Sequence, residues 1–148
     1  MAPTSAGSLM HLTGILETAL YCSDLAAAET FYRDVLGLAM IAKQPGRMVV
    51  FRCGDGVLLL FDPTVTATAT TVVAGSAIPL HGTQGIGHMA FRVDLADIPA
   101  WRDRLASHGV PIEREVAWPA GGHSVYFRDP AGHSIEFGTT SIWWKDPA

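Results

Sequence analysis

The sequence has few cysteines, few charges and no long apolar run. Only two cysteines occur among the 148 residues, Cys22 and Cys53, and they have neither the CxxC spacing of a zinc site nor a secretory context. Their scarcity argues against a disulfide framework and against a zinc–thiolate site. The net charge of −4 comes without a cluster of basic residues, so no surface for nucleic acid or for an anionic membrane is predicted. The expected partner is a small molecule.

Apolar segments have the length of strands and not of membrane spans. The longest runs, such as VLLLF at 57–61, are far too short to cross a bilayer. The first dozen residues lack the basic start and the apolar stretch of a secretion signal, so a cytoplasmic location is expected. With 49% apolar and 16% charged residues, the chain is predicted to fold as one globular domain, residues 1–148.

An internal repeat organises the chain. The paired segments are GILETALYCSDL (14–25) with GIGHMAFRVDL (85–95), YRDVL (32–36) with WRDRL (101–105), and VVFRCGDGVLLLF (49–61) with VYFRDPAGHSIEF (125–137). In the first pair, Glu17 falls on His88. The chain is therefore predicted to contain module one at about 14–63, a linker at 64–84 with almost no charge, and module two at 85–138.

Each module is predicted to be a βαβββ unit, because a strand of alternating pattern is followed by a helix and then by three short strands separated by turn signals. In module one, Asp24 is the expected N-cap of the helix and Gly37 its expected end. In module two, Asp97 and Gly109 take these places.

The two first strands should each present one side to a helix, since a helix covers only one face of its sheet. The side chains expected on that side are Leu16, Thr18, Leu20, Met89, Phe91 and Val93. Glu17 and His88 then point the opposite way, into the space that the two curved sheets enclose.

A third ionisable residue, Glu136, lies in SIEF on the closing strand of module two. Together with GHMAF and YFRDPAGHSIEF, this arrangement resembles the vicinal oxygen chelate superfamily of glyoxalases, extradiol dioxygenases, epimerases, and fosfomycin and bleomycin resistance proteins. The resemblance covers residues 14–138. It implies an α+β fold in which two tandem βαβββ modules form a cupped mixed sheet, within a homodimer.

The resemblance also implies a metal site. In that family the first and closing strands donate His, Gln or Glu to one divalent metal, and the matching residues here are Glu17, His88 and Glu136. Glu17 stands where the family commonly has His, and a fourth ligand position is occupied by Leu59 or Leu60, depending on the alignment. Three ligands leave open coordination positions, and the expected ion is Fe, Mn, Ni, Co, Zn or Mg.

A cup without metal is the alternative. There, Glu17 would pair with His88 or with an arginine such as Arg52 or Arg128, because an unpaired buried carboxylate would take up a proton. Some resistance proteins of the family work without any metal.

Further candidate residues follow from the resemblance and from strand alternation. Tyr126, ten positions before Glu136, has the spacing of a tyrosine that binds substrate in extradiol dioxygenases, and an ordinary packed aromatic pair is the alternative. His123 should turn away from the cup and is held as a candidate acid or base from its rim. The candidate substrate-binding residues are Arg47, Arg52, Trp118 and Arg128. His81 and His133 are expected on the surface.

The favoured function is that of a metal-dependent enzyme acting on a small oxygenated substrate by proton-transfer chemistry of the lyase or isomerase type, as the resemblance implies. Two alternatives stay open. One is an extradiol-type dioxygenase, although two carboxylate ligands would weaken the ion as a Lewis acid. The other is a metal-independent protein that binds a small molecule such as an antibiotic and confers resistance.

Overall fold

A computed structural model of the protein describes residues 9–145 and contains both predicted βαβββ units. Each unit forms a four-stranded mixed sheet. The strands are β1 Glu17–Tyr21, β2 Ala39–Gln44, β3 Met48–Cys53, β4 Gly56–Phe61, β7 His88–Arg92, β8 Ile112–Ala117, β9 His123–Arg128 and β10 Ser134–Gly138. Their order is β1-β4-β3-β2 in module one and β7-β10-β9-β8 in module two, and in each sheet the module's first and last strands pair in parallel. The predicted α+β fold is confirmed.

The helix of each module begins and ends close to the predicted residues. Helix α1, Leu25–Thr30, has Asp24 as its N-cap, whose side chain accepts a hydrogen bond from the Ala27 amide at 3.0 Å. A π-helical turn, Phe31–Val35, extends it, and Gly37 follows with a φ of 74° that favours glycine. The main helix of module two, α3 Ile98–Ser107, follows Asp97, but that side chain makes no capping hydrogen bond.

The linker is more structured than the sequence indicated. It contains a short helix, α2 Pro63–Thr66, and a small hairpin formed by β5 Val72–Val73 and β6 Ser76–Ala77. Asp62 caps α2 by accepting from the Thr64 amide at 2.9 Å, and Pro63 occupies the first helical position. The sequence DPT (62–64) is thus a typical start of a helix, although after residue 63 only a linker is predicted from the sequence.

The helix-bearing sides of the two modules share one apolar core. Phe31 of module one packs on Phe127 of module two with ring centroids 6.2 Å apart. Beside them the Tyr32 hydroxyl donates a hydrogen bond of 2.7 Å to the Asp129 carboxylate, and both residues are buried. This contact fixes module one to the turn between β9 and β10.

Expectations about side-chain placement are wrong for Leu16, Thr18, His81 and His133, and Thr18 is exposed on its strand instead of facing a helix. Leu16 precedes β1 and is 75% exposed instead of packing on a helix, although Leu20 of the same strand is buried as predicted. His133 is buried and not on the surface. Its Nδ1 accepts from the Gly87 amide at 2.7 Å, and its Nε2 therefore donates to the Tyr21 carbonyl at 2.6 Å.

His81, also expected on the surface, is half-buried and hydrogen-bonded to the Tyr21 hydroxyl. Among residues 9–145, no helix combines the length and the apolar character needed to cross a membrane.

Candidate functional site

His88 and Glu136 lie side by side on adjacent parallel strands of module two. The register pairs Ser134 with His88 and Glu136 with Ala90, so the imidazole and the carboxylate project from the same face two positions apart. His88 Nε2 is 3.3 Å from Glu136 Oε2. The structure thus brings together two of the three predicted metal ligands.

The orientation of the His88 ring is set by the backbone. Its Nδ1 lies 2.9 Å from the Ser134 carbonyl oxygen, which can only accept, so Nδ1 carries the hydrogen. In the neutral imidazole, Nε2 then presents a lone pair to the Glu136 carboxylate, which is also an acceptor. Two acceptors this close require a proton or a cation between them. A backbone-fixed tautomer of this kind is typical of histidines that bind metals.

Glu136 is held by two further residues of module two. The Ser124 hydroxyl donates to Glu136 Oε1 at 2.5 Å, and the Trp118 indole Nε1 donates to Ser124 Oγ at 2.8 Å. Ser124 is completely buried and Glu136 nearly so. One carboxylate oxygen is therefore fixed, and the other is left facing His88.

A cavity of about 570 Å³ opens next to this pair. Tyr126 lies in its wall, with its ring 6.3 Å from that of His88. The other side chains that give the wall its aromatic and apolar character are Trp118, Ile142, Trp143 and Trp144. The cavity has the size of a small-molecule site, and all of its lining comes from residues 88–144.

The C-terminal wall of the cavity is pressed closely against the turn before β9. Gly122 has a φ of 97°, and a Cβ at this position would lie 2.6 Å from the Ile142 backbone nitrogen. Only glycine allows this approach, because any side chain would collide with the segment that continues into Trp143.

Glu17 is not part of this cluster in the chain as described. It is exposed at the start of β1 and lines a separate cavity of about 170 Å³ between β1 and β7, together with Cys53 and Arg92. Within residues 9–145, no three His, Cys, Asp or Glu side chains converge in a way that would hold a metal ion. The His88–Glu136 pair therefore has no third His, Cys, Asp or Glu beside it among these residues.

The strand register identifies the module-one counterpart of Glu136. In module two Ala90 pairs with Glu136, and in module one the repeat-equivalent Ala19 pairs with Leu59. The alignment that left Leu59 and Leu60 open is therefore resolved in favour of Leu59. Leu60 points into the core, where it is fully buried.

The remaining candidate residues lie in different places. Trp118 lines the cavity. Arg47 is buried and donates to the Ala69 carbonyl in the linker, and Arg52 donates to the Gly54 carbonyl. Arg128 is exposed and forms a two-point ion pair with Glu113, which lowers the pKa of that carboxyl.

His123 turns away from the cavity, as alternation predicts, and its Nε2 is buried 3.9 Å from Glu115. Neither Ser124 nor Arg92 has a role predicted from the sequence. Side chains alternate between the two faces of a strand, which places Ser124 beside Tyr126 on β9 and Arg92 beside His88 on β7. This alternation is the sequence signal that indicates both residues.

Comparison with known proteins gives consistent results. The family model described as "Glyoxalase/Bleomycin resistance protein/Dioxygenase superfamily" matches residues 14–137. A crystal structure of lactoylglutathione lyase from Agrobacterium tumefaciens has 47% identity and a TM-score of 0.82, and the match covers 89% of this chain and 97% of that one.

Two curated relatives are similar over most of their length. Glutathione transferase FosA of Serratia marcescens is 32% identical, and the match covers 91% of this chain and 82% of the relative. Lactoylglutathione lyase of Haemophilus influenzae is 29% identical, with 83% of this chain and 90% of the relative covered.

Proposed function

Because the chain belongs to the glyoxalase/bleomycin resistance protein/dioxygenase superfamily, we propose that it is a metal-dependent enzyme acting on a small oxygenated molecule by proton transfer. The observation that carries the proposal is the pair of His88 Nε2 and Glu136 Oε2, 3.3 Å apart at the wall of a cavity of ligand size. Both atoms are acceptors with fixed supports, and a divalent cation is the ligand that such a pair fits.

The third ligand in this proposal is Glu17 of a second subunit. Within the described chain, β1 and β7 are edge strands of separate sheets, and Glu17 stands exposed on β1. The helix-bearing sides of the modules already pack on each other, as the contact of Phe31 with Phe127 shows. A second copy would therefore supply the missing carboxylate and form a homodimer.

The surface around these edges supports a dimer. It exposes several large apolar side chains, which are Ile15, Leu16, Ile86, Trp143 and Trp144. Apolar surface in this amount is unusual for a monomer, and burial against a second copy would remove it from water.

Each residue has a distinct task in the proposed reaction. The bound ion would polarise neighbouring oxygens of the substrate. His88 and Glu136 would hold the ion, and the hydrogen bond from Ser124 keeps Glu136 in place. Tyr126 is positioned to donate a hydrogen bond to a substrate oxygen, and Glu17, which has no fixed partner within residues 9–145, is the carboxylate best able to move a proton.

Metal binding to the apo protein tests the proposal. We expect about one Mn, Fe, Co, Ni, Zn or Mg ion per chain for the wild type and for Glu113→Gln, an exposed glutamate outside the cavity. Glu136→Gln should lose most of the affinity. Equal affinity of the wild type and Glu136→Gln in calorimetric titrations would overturn the proposed site.

A complementation experiment tests the origin of Glu17. Glu17→Gln and Glu136→Gln are each expected to be inactive as pure proteins. Co-expression gives mixed dimers in which one site has His88 and Glu136 from one subunit and Glu17 from the other, so roughly a quarter of the wild-type activity per chain should return. No recovery in dimers shown to be mixed would place Glu17 outside the partner's site. Lactoylglutathione formation is the first activity to assay, because the relative with 47% identity bears that name.

A binding protein without metal is the second candidate, and the same pair of residues favours it. A protonated His88 facing Glu136 at 3.3 Å would be an ion pair, satisfied without a metal. Tight ligand binding that persists in the presence of a chelator, with no turnover, would establish this function in place of the enzyme. A third possibility, ring cleavage, would require that a catechol be consumed together with dioxygen.

A further inference from the structure

We infer that Arg92 forms an anion-binding subsite at the end of the cavity remote from His88, so that the substrate carries a negative charge at the end opposite to its oxygen pair. This inference rests on the proposed function, because the His88 end defines where the oxygens bind. It goes further by naming the substrate class and a residue that selects it.

Strand geometry sets the distance between the two ends. Residues 88, 90 and 92 of β7 alternate onto one face, and His88 and Arg92 both line the cavity. Four residues of extended chain separate their Cα atoms by about 13 Å. A substrate that reaches both groups is therefore elongated.

Arg92 also differs from the other arginines in its bonding. Arg33, Arg47, Arg52, Arg102, Arg104, Arg114 and Arg128 each donate at least one hydrogen bond to a carboxylate or a carbonyl. In the part of the chain that the structure describes, Arg92 makes no hydrogen bond and no ion pair. Glu17 lines the smaller cavity beside it, but the two side chains do not come within ion-pair distance. The Arg92 guanidinium is thus available to a ligand.

Aromatic side chains form much of the wall between the two ends. Trp118 and Tyr126 lie on the strand side, and Trp143 and Trp144 lie on the C-terminal side. Indole and phenol rings bind flat apolar groups by stacking and by burial. Glu136 is the only carboxylate in the lining, and it pairs with Ala90, midway between His88 and Arg92. Its two oxygens are already engaged, Oε2 facing His88 and Oε1 accepting from Ser124.

These features together define a substrate class. It is a flat aromatic or unsaturated molecule with two neighbouring oxygens at one end and a carboxylate or phosphate at the other. Arginine suits that second group, because its planar fork can donate two parallel hydrogen bonds to either anion.

A matched pair of chelating probes tests the inference on the metal-loaded protein. A hydroxamate presents two adjacent oxygens to a metal, so biphenyl-4-carbohydroxamate serves as the neutral probe and its 4′-carboxy derivative as the anionic one. The wild type should bind the anionic probe roughly tenfold more tightly or better, since a hydrogen-bonded charge pair is involved.

The variants then assign that preference to one residue. Arg92→Gln should lose the preference for the anionic probe and keep its affinity for the neutral probe. Arg33→Gln removes an arginine of the same charge on the helix of module one, and it should behave as the wild type. A preference that survives in Arg92→Gln, or an equal weakening of both probes, would overturn the inference.

Two further readouts separate this inference from its alternatives. If Arg92 instead binds a carboxylate of the partner or orients Glu17, then Arg92→Gln would weaken the dimer in sedimentation analysis or lower the metal content, and the subsite would be ruled out. If metal loading does not strengthen binding of either hydroxamate, the proposed function fails. Biphenyl-4-carboxylate and biphenyl, compared on the metal-free wild type and Arg92→Gln, would still decide whether Arg92 binds the anion.

Discussion

Ser124 donates a hydrogen bond of 2.5 Å to Glu136, and both side chains are buried beneath the cavity. This contact orients a carboxylate that would otherwise rotate freely about its last bond. Because Trp118 donates in turn to Ser124, an aromatic wall residue is connected to the proposed metal ligand through one hydroxyl.

Replacing Ser124 by Ala should therefore weaken metal binding. The change leaves Glu136 Oε1 without its donor, and losing a supporting partner of this kind typically costs about 10- to 100-fold in metal affinity. Calorimetric titration of the apo protein measures this. Ser107→Ala, at an exposed serine at the end of α3, is the control and should bind as the wild type does. Unchanged affinity in Ser124→Ala would show that the hydroxyl does not support the site.

Tyr32→Phe should destabilise the fold and leave the site intact. The Tyr32 hydroxyl donates to Oδ2 of the buried Asp129 carboxylate, whose Oδ1 accepts from the Ala131 and His133 amides. Leaving Oδ2 without its donor costs roughly 1–3 kcal/mol. Urea denaturation gives the free energy of unfolding. Tyr126→Phe, in the cavity wall, removes a hydroxyl without such a partner and should unfold near the wild-type midpoint. Equal stability of all three proteins would contradict the role of the Tyr32–Asp129 contact.

Stability should fall at alkaline pH. Burial and the nearby Asp129 raise the pKa of Cys22 from 9.0 to about 12, and the same two causes raise the pKa of Tyr32. The unfolded chain then loses these protons at a lower pH than the folded chain, so the free energy of unfolding decreases as the pH rises above about 9. Denaturation at pH 7, 9 and 10.5 should show a shallower decline for Cys22→Ala than for the wild type. Parallel declines would mean that Cys22 does not contribute.

Leu59→Glu should introduce a fourth ligand on the module-one wall. Leu59 pairs with Ala19 in module one as Glu136 pairs with Ala90 in module two. A carboxylate at position 59 would therefore lie near Glu17, as that of Glu136 lies near His88. We expect the apo form to be destabilised by repulsion between the two carboxylates and to recover when metal is added. Thermal unfolding with and without Mn measures this, and Leu59→Gln, which adds no charge, should show a smaller response to metal. An identical response of both variants to metal would contradict the structural equivalence of positions 59 and 136.

Much of the fold was predictable because local signals and tertiary packing agree. The repeat that aligns Glu17 with His88 specified two like modules, and the pairing of Asp24 with Gly37 bounded the first helix by an N-cap and a glycine of positive φ. The prediction failed where burial depends on distant partners. His133 lies in a turn that normally faces water, yet its ring spans the Tyr21 carbonyl and the Gly87 amide, which no local pattern indicates.

The candidate site was predictable in part for a similar reason. Strand alternation turned His88 toward the cup, the family resemblance added Tyr126 and Glu136, and the structure brings those three together. Leu16 was expected to be covered by a helix, but it lies before β1, where a single chain leaves it exposed. Alternation along one strand cannot tell whether a neighbour belongs to the same chain or to another.

The close approach of Gly122 to Ile142 has a consequence for molecular size selection. The space at this crossing is one methyl group too small for any other residue, and the segment that would have to yield continues into Trp143 and Trp144. The position of these two aromatic side chains, which line the cavity, therefore depends on a residue that does not line it. Enlarging the range of molecules admitted would begin at this glycine and not at the aromatic side chains that the molecules would touch.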